Sequence, residues 1–106
     1  MTNIAVMVSG GGTNLQALID AQKAGKIPHG QIRLVIASND RAYALQRAEK
    51  ENIPSAVIRH KDYPVQEEFD QKIVDTLHEY QIDMVVLAGY LSILGPTIIR
   101  AYEDRI

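Results

Sequence analysis

The sequence predicts an α/β fold of the Rossmann-like kind, a mostly parallel sheet with helices on both faces. Three observations predict it. Short apolar runs recur along the chain at Ile4–Val8, Ile32–Ile36 and Asp83–Ala88. Between them lie segments whose apolar residues fall at helical spacing, and a glycine triplet, Gly10-Gly11-Gly12, separates the first run from the first such segment. Runs apolar on both sides suit strands covered on both faces. Alternation of strand and helix requires crossover connections, which place helices on both faces of a parallel sheet.

The first strand is Ile4 to Val8, bounded by Asn3 and by Ser9-Gly10-Gly11-Gly12. From Asn14 the spacing of Leu15, Leu18 and Ile19 predicts a helix, which Gly25 and Pro28 stop. Ile32, Leu34, Val35 and Ile36 form the second strand, ending at Ser38-Asn39-Asp40, where side chains that bond local backbone favour a turn or cap. Arg41 to Glu51 is the second helix, with Ala42, Leu45 and Ala48 on one side, closed by Asn52-Ile53-Pro54. Ser55 to Ile58 is a third strand and 60–64 a loop. Val65, Phe69, Ile73, Leu77 and Tyr80 stack along one face of a third helix, with Glu67, Glu68, Asp70, Lys72 and Glu79 on its solvated face. Asp83 to Ala88 is a fourth strand, and Pro96 opens a last short helix through Ile98, Ile99 and Tyr102.

A chain of 106 residues, 46% hydrophobic and 23% charged, fits one globular domain and excludes two. The net charge of -2 gives no general pull toward nucleic acid or anionic membrane, so neither is an expected partner. The absence of cysteine excludes thiolate metal sites and thiol nucleophiles. The first residues carry no basic segment and break at Gly10, unlike a signal peptide, so the expected location is cytoplasmic.

In open α/β sheets ligands bind beyond the carboxyl ends of strands. After the first strand, Ser9-Gly10-Gly11-Gly12-Thr13-Asn14 frees backbone N–H groups to turn toward a ligand, at the positive end of the following helix. A phosphate suits that loop, and a plain glycine turn packing helix on strand is the alternative. A dinucleotide fingerprint would need glycine at Leu15, and no Gly-Lys-[Ser/Thr] is present. A β-branched residue at Gly12 is expected to weaken anion binding and leave the fold largely intact. After the fourth strand, the apolar stretch 87–96 suits either the wall of a pocket for a flat ligand or ordinary core. His29, His60 and His78 have no metal-ligand spacing and read as surface or boundary residues, and Asp40 reads as a cap of the second helix.

Val8 to Ile19, the Ala37-Ser38-Asn39 strand end, Asn52-Ile53-Pro54 and Asp83 to Leu94, in this order, resemble the amino-terminal half of the phosphoribosylglycinamide formyltransferases of purine synthesis. The resemblance runs over essentially the whole chain. It implies a formyltransferase-type fold and transfer of a formyl group from 10-formyltetrahydrofolate, a co-substrate, to the amine of glycinamide ribonucleotide, without a metal. It implies that Gly12, Thr13 and Asn14 hold the ribonucleotide phosphate, and that Tyr90, Leu91, Ser92, Ile93 and Leu94 border the pocket of the reduced folate. Two positions depart from the family. Ser92 stands where arginine is frequent, and Gln66 stands where a basic group often faces the folate tail.

The resemblance also implies that the catalytic Asn, His and Asp lie beyond Ile106. Residues 1–106 are then expected to be a single amino-terminal half of a formyltransferase domain, its carboxyl-terminal half absent, and inactive alone. Two rivals stand beside this expectation: a non-catalytic dinucleotide- or phosphate-binding module, and a structural half that assembles with a separately made carboxyl-terminal chain, whose unclosed sheet edge is also a route to self-association.

Overall fold

The computed structural model describes residues 1–106. Its elements are β1 (Thr2–Val8), α1 (Thr13–Lys23), β2 (Gly30–Ala37), α2 (Ala44–Lys50), β3 (Ser55–Val57), a single 3-10 turn at His60–Asp62, α3 (Gln66–Glu79), β4 (Met84–Leu87) and α4 (Pro96–Ala101). All four strands are parallel in the order β3-β2-β1-β4. The α/β class and the order of elements match the sequence expectation.

The period of two along the strands divides the core into two layers. Ala5 and Met7 of β1 with Leu34 and Ile36 of β2 pack against Phe69, Ile73 and Leu77 of α3 and Ile98 of α4. Ile4, Val6 and Val8 with Ile32, Val35 and Ala37 pack on the other face, against Leu15 and Ile19 of α1 and Ala44 and Ala48 of α2. Ile32 and Val35 share a face because the β1–β2 register slips between Ile4 and Ala5, leaving Arg33 as an extra, exposed residue.

Several boundaries and roles differ from the expectation. The second helix starts at Ala44 rather than Arg41, because Asn39 Oδ1 accepts the Arg41 N–H in a local turn at 3.0 Å. Asp40 therefore does not cap it and instead faces Arg59 at 3.7 Å. Val65 precedes α3 and is 52% exposed, so it lies off the apolar face. Asp70, expected on the solvated face, is fully buried, since the 90–95 loop folds over it.

One edge of the sheet is β4. Ala88 N–H donates to the Met7 carbonyl, and N–H groups alternate sides along a strand. That of Val85 therefore faces away from β1, where it donates to the Arg105 carbonyl at 2.8 Å. Tyr102 seats this last stretch by donating its hydroxyl to the Ile82 carbonyl at 2.9 Å. No helix is long and apolar enough to cross a membrane.

Candidate functional site

From β1 the chain moves to β2 and β3 on one side, and β4 returns on the other. The strand order therefore reverses between β1 and β4, and the crevice beyond their carboxyl ends is where open α/β sheets bind ligands. A cavity of about 140 Å3 occupies that place, lined by Gly10, Gly11, Gly12, Thr13, Asn14, Ala88 and Gly89. The three residues expected to hold a phosphate are thus brought together at one opening. Gly12 has φ 78, and its carbonyl accepts the Gln16 N–H at 2.8 Å to start α1. The next N–H groups of α1 have no partner one turn back and face an anion favourably.

Helix α2 holds this loop from behind. Ala44 N–H donates to the Gly10 carbonyl at 3.3 Å, and Arg47 Nε donates to the Gly11 carbonyl at 2.8 Å. Arg47 Nη1 reaches Gln16 Oε1 at 3.3 Å, and the guanidinium lies 5.0 Å over the Tyr43 ring. A Cβ on Gly12 would sit 2.6 Å from Ala44 Cβ and 2.9 Å from Ala44 Cα. The expectation that a β-branched residue there spares the fold is corrected accordingly, because the obstacle is helix backbone.

The 90–95 loop is anchored at both ends. At its start Leu91 N–H donates to Ser9 Oγ at 2.8 Å, while Ser38 Oγ lies 2.7 Å from the same oxygen. Toward its end Asp70 Oδ1 accepts the Gly95 N–H at 3.0 Å, and Gln66 Nε2 donates to Asp70 Oδ1 at 2.8 Å and to the Ile93 carbonyl at 3.3 Å. His60 Nε2 lies 2.8 Å from Gln66 Oε1. Gln66 is thus occupied in fastening the loop.

Between the anchors Leu91 and Ile93 are 86% and 73% exposed, Ser92 and Leu94 are half-buried, and Tyr90 packs against the core. These five residues line none of the chain's cavities. They present an apolar ledge beside the crevice. Burial pushes the Tyr90 phenol above its usual value; the Ser92 hydroxyl, near enough to act on it but outside hydrogen-bond geometry, opposes the shift, and the Asp70 carboxyl adds to it. The Tyr90 hydroxyl and Asp70 Oδ2 are both buried without a hydrogen-bond partner.

A larger polar cavity, about 590 Å3, lies over the ends of β2 and β3 and is lined by Ser38, Asn39, Asp40, Arg41, Arg59 and Lys61. The strand order does not reverse there, and Arg59 is already engaged by Asp62 at 2.9 Å. His29 lies exposed just before β2, where it lines a separate cavity with Ile27 and Met84, His78 lies exposed on α3 with its ring 6.3 Å from that of Tyr102, and no three His, Asp or Glu side chains gather as a metal site.

A family model described as formyl transferase matches residues 2–106. The chain belongs to the formyl transferase family. It is 42% identical over 106 residues to the phosphoribosylglycinamide formyltransferase of Haemophilus influenzae, covering 100% of this chain and 50% of that protein. It is 36% identical over 104 residues to the enzyme of that name from Escherichia coli, covering 98% of this chain and 49% of the relative. The crystal structure of glycinamide ribonucleotide transformylase 1 from Geobacillus kaustophilus superposes with a TM-score of 0.94 at 41% identity, covering 99% of this chain and 55% of that one. The chain spans about half the length of the curated relatives it matches. The formyltransferase-type fold expected from the sequence is therefore the observed one.

Sequence reading missed Arg47 and Asp70 as supports of this crevice and its ledge, and it placed Ser9 in the glycine loop without its bond to Leu91. Arg47 had a usable signal, since it stands among the buried small residues Ala44 and Ala48 on the packed face of α2. Asp70 had one too, at the position one residue past Phe69 and one turn past Gln66, where helix α3 meets the loop. Ser9 had none beyond its place at a strand end.

Proposed function

We propose that residues 1–106 are the amino-terminal half of a phosphoribosylglycinamide formyltransferase domain and supply its phosphate loop and part of its folate pocket. The observation that carries this reading is the glycine-lined crevice at the β1–β4 switch point, set beside the anchored apolar ledge at 90–94. Backbone N–H groups of Gly12, Thr13 and Asn14 hold the phosphate of glycinamide ribonucleotide. Tyr90, Leu91, Ser92, Ile93 and Leu94 border the pterin of 10-formyltetrahydrofolate. In the reaction the ribonucleotide amine attacks the formyl carbon and an oxyanion forms on the formyl oxygen; the bond from the formyl carbon to the folate nitrogen then breaks, and the proton lost by the amine ends on that nitrogen. No step uses a metal.

The groups that stabilise the oxyanion and move the proton are the Asn, His and Asp that the resemblance implies beyond Ile106. Residues 1–106 bind substrate weakly and catalyse no transfer. The site chemistry uses soluble substrates, and its place is the cytoplasm. The rival of a dinucleotide-binding module is disfavoured by Leu15, fully buried in the core where that fingerprint requires glycine.

The reading is tested by titrating the isotope-labelled chain with glycinamide ribonucleotide and, separately, with a reduced folate. The ribonucleotide is expected to move the amide signals of residues 12–14, and the folate those of residues 90–94. Binding of NAD at the same loop with no response to the ribonucleotide would overturn the reading in favour of its rival.

A further inference from the structure

We propose that Arg47 is a positioning residue of the anion site: by fastening the Gly11 carbonyl to α2, it turns the Gly12 N–H toward the ligand. The inference rests on the phosphate reading above and adds to it the group that sets the loop's polarity.

A loop of consecutive glycines has no intrinsic polarity. Each peptide carries an acceptor and a donor pointing in opposite directions, because the unit is planar and trans. Glycine also allows either direction at little steric cost. An anion needs the donors turned inward and the carbonyl oxygens turned away, and the sequence Gly10-Gly11-Gly12 does not select that arrangement.

Helix α2 selects it. The Gly10 carbonyl accepts from Ala44 N–H at 3.3 Å and the Gly11 carbonyl from Arg47 Nε at 2.8 Å. Two successive carbonyls therefore face α2, which sends the N–H groups of Gly11 and Gly12 to the opposite side of their peptides. Gly10, Gly11 and Gly12 all line the crevice. The first bond is backbone to backbone and is set once α2 packs. The second is the side chain's own.

Arg47 is well suited to this task. Its guanidinium is held at three points: by the Gly11 carbonyl, by Gln16 Oε1 at 3.3 Å, and over the Tyr43 ring at 5.0 Å. Gln16 lies on the first turn of α1, so one planar group ties α2 to the loop and to the helix that follows it. Its permanent positive charge also lies behind a loop that receives an anion.

The test uses the labelled 106-residue chain, inorganic phosphate as probe, and two variants, Arg47→Met and Arg47→Lys. Amide signals of Gly11, Gly12 and Thr13 report binding, and the carbonyl carbon of Gly11 reports its hydrogen bond. Phosphate is expected to shift those amides saturably in the unmodified chain. Arg47→Met is expected to move the Gly11 carbonyl signal and weaken phosphate binding about tenfold, the effect of losing one charge-assisted hydrogen bond. Arg47→Lys, which keeps the charge and donates at most one bond to the loop, is expected to fall between the two.

Unchanged phosphate affinity in a folded Arg47→Met chain overturns the proposal and leaves the phosphate reading standing. Full affinity in Arg47→Lys with the Gly11 carbonyl bond lost also overturns it, because charge alone then suffices. If Arg47→Met does not fold, the Lys variant decides by the same two signals. No response of the unmodified chain at residues 11–14 overturns the phosphate reading and this proposal together.

Discussion

Replacing Gly12 by alanine tests whether helix α2 closes against the glycine loop. Gly12 has φ 78, and a left-handed backbone costs an L residue about 1–2 kcal/mol. The added Cβ would stand 2.6 Å from Ala44 Cβ and 2.9 Å from Ala44 Cα. Neither atom is the end of a flexible side chain, so α2 itself must shift, and overpacking of this kind costs about 1–3 kcal/mol. Together the two effects give about 2–5 kcal/mol. A domain of this size holds only about 5–15 kcal/mol. Gly11→Ala is the control, because nothing lies within 4 Å of its Cβ position and its φ is not positive. Its effect should stay within about 0.5 kcal/mol. Urea unfolding followed by circular dichroism measures both. At a slope of about 1.5 kcal/mol per molar, a loss of about 3 kcal/mol moves the midpoint by about 2 M. A Gly12→Ala chain as stable as Gly11→Ala would refute the claim that α2 closes against this loop.

Tyr90→Phe should raise stability by about 1 kcal/mol, because it removes a buried hydroxyl that has no hydrogen-bond partner; a lower urea midpoint would show that the hydroxyl has a partner. Burial also raises the Tyr90 and Tyr102 phenols above their ordinary value, so the unfolded chain ionises first as pH rises. The stability tied to these neutral phenols is complete below about pH 10 and is lost as pH climbs through the folded-state values. Urea midpoints between pH 8 and 11 should fall, and fall less in Tyr90→Phe; equal slopes would remove Tyr90 from the account. Asp70→Ala should cost about 2–4 kcal/mol, since it leaves the Gly95 N–H and Gln66 amide without their acceptor, and it should speed amide exchange at Gly95 while sparing Leu91. Self-association through β4, where Met84 and Leu87 are 39% and 44% exposed, should appear as a sedimentation coefficient that rises with concentration and stops rising in Leu87→Lys.

Strand and helix order was legible because β1, β2 and the run at β4 are apolar and each helix is apolar on one side, while the short, mostly exposed β3 was legible from the Asn52-Ile53-Pro54 break before it. The left edge of α2 was not. Arg41 and Ala42 carry helical spacing, yet Asn39 captures the Arg41 N–H and delays the helix until Ala44 can bond Gly10. The turn at Asn39 has a local signature, but the bond to Gly10 that sets the helix start spans 34 positions and has none. Asp70 was misplaced for the same reason, since its acid character reads as solvent-facing until the 90–95 loop is seen to close over it. The glycine loop was legible as an anion site from its position between β1 and α1. The 90–94 ledge was legible as apolar, but its exposure depends on anchors at Ser9 and Asp70 that lie 82 and 25 residues away in sequence.

Those distant anchors have a common physical effect. A flexible stretch ordered only on ligand binding loses about 1–2 kcal/mol per residue of backbone entropy at that moment. For the 90–94 ledge that would remove most of the affinity a small ligand can supply. Here the ordering is done in advance by interactions made behind the site: Ser9 Oγ on Leu91 N–H, Asp70 on Gly95 N–H, Ala44 N–H and Arg47 on the glycine carbonyls. Each contributes about 0.5–1.5 kcal/mol when neutral and more when charged. None points its own polar atoms at the crevice. The groups that fix the loops are therefore distinct from the groups that meet the ligand, and the N–H groups at Gly12 to Asn14 remain unspent by the fold and available to an anion.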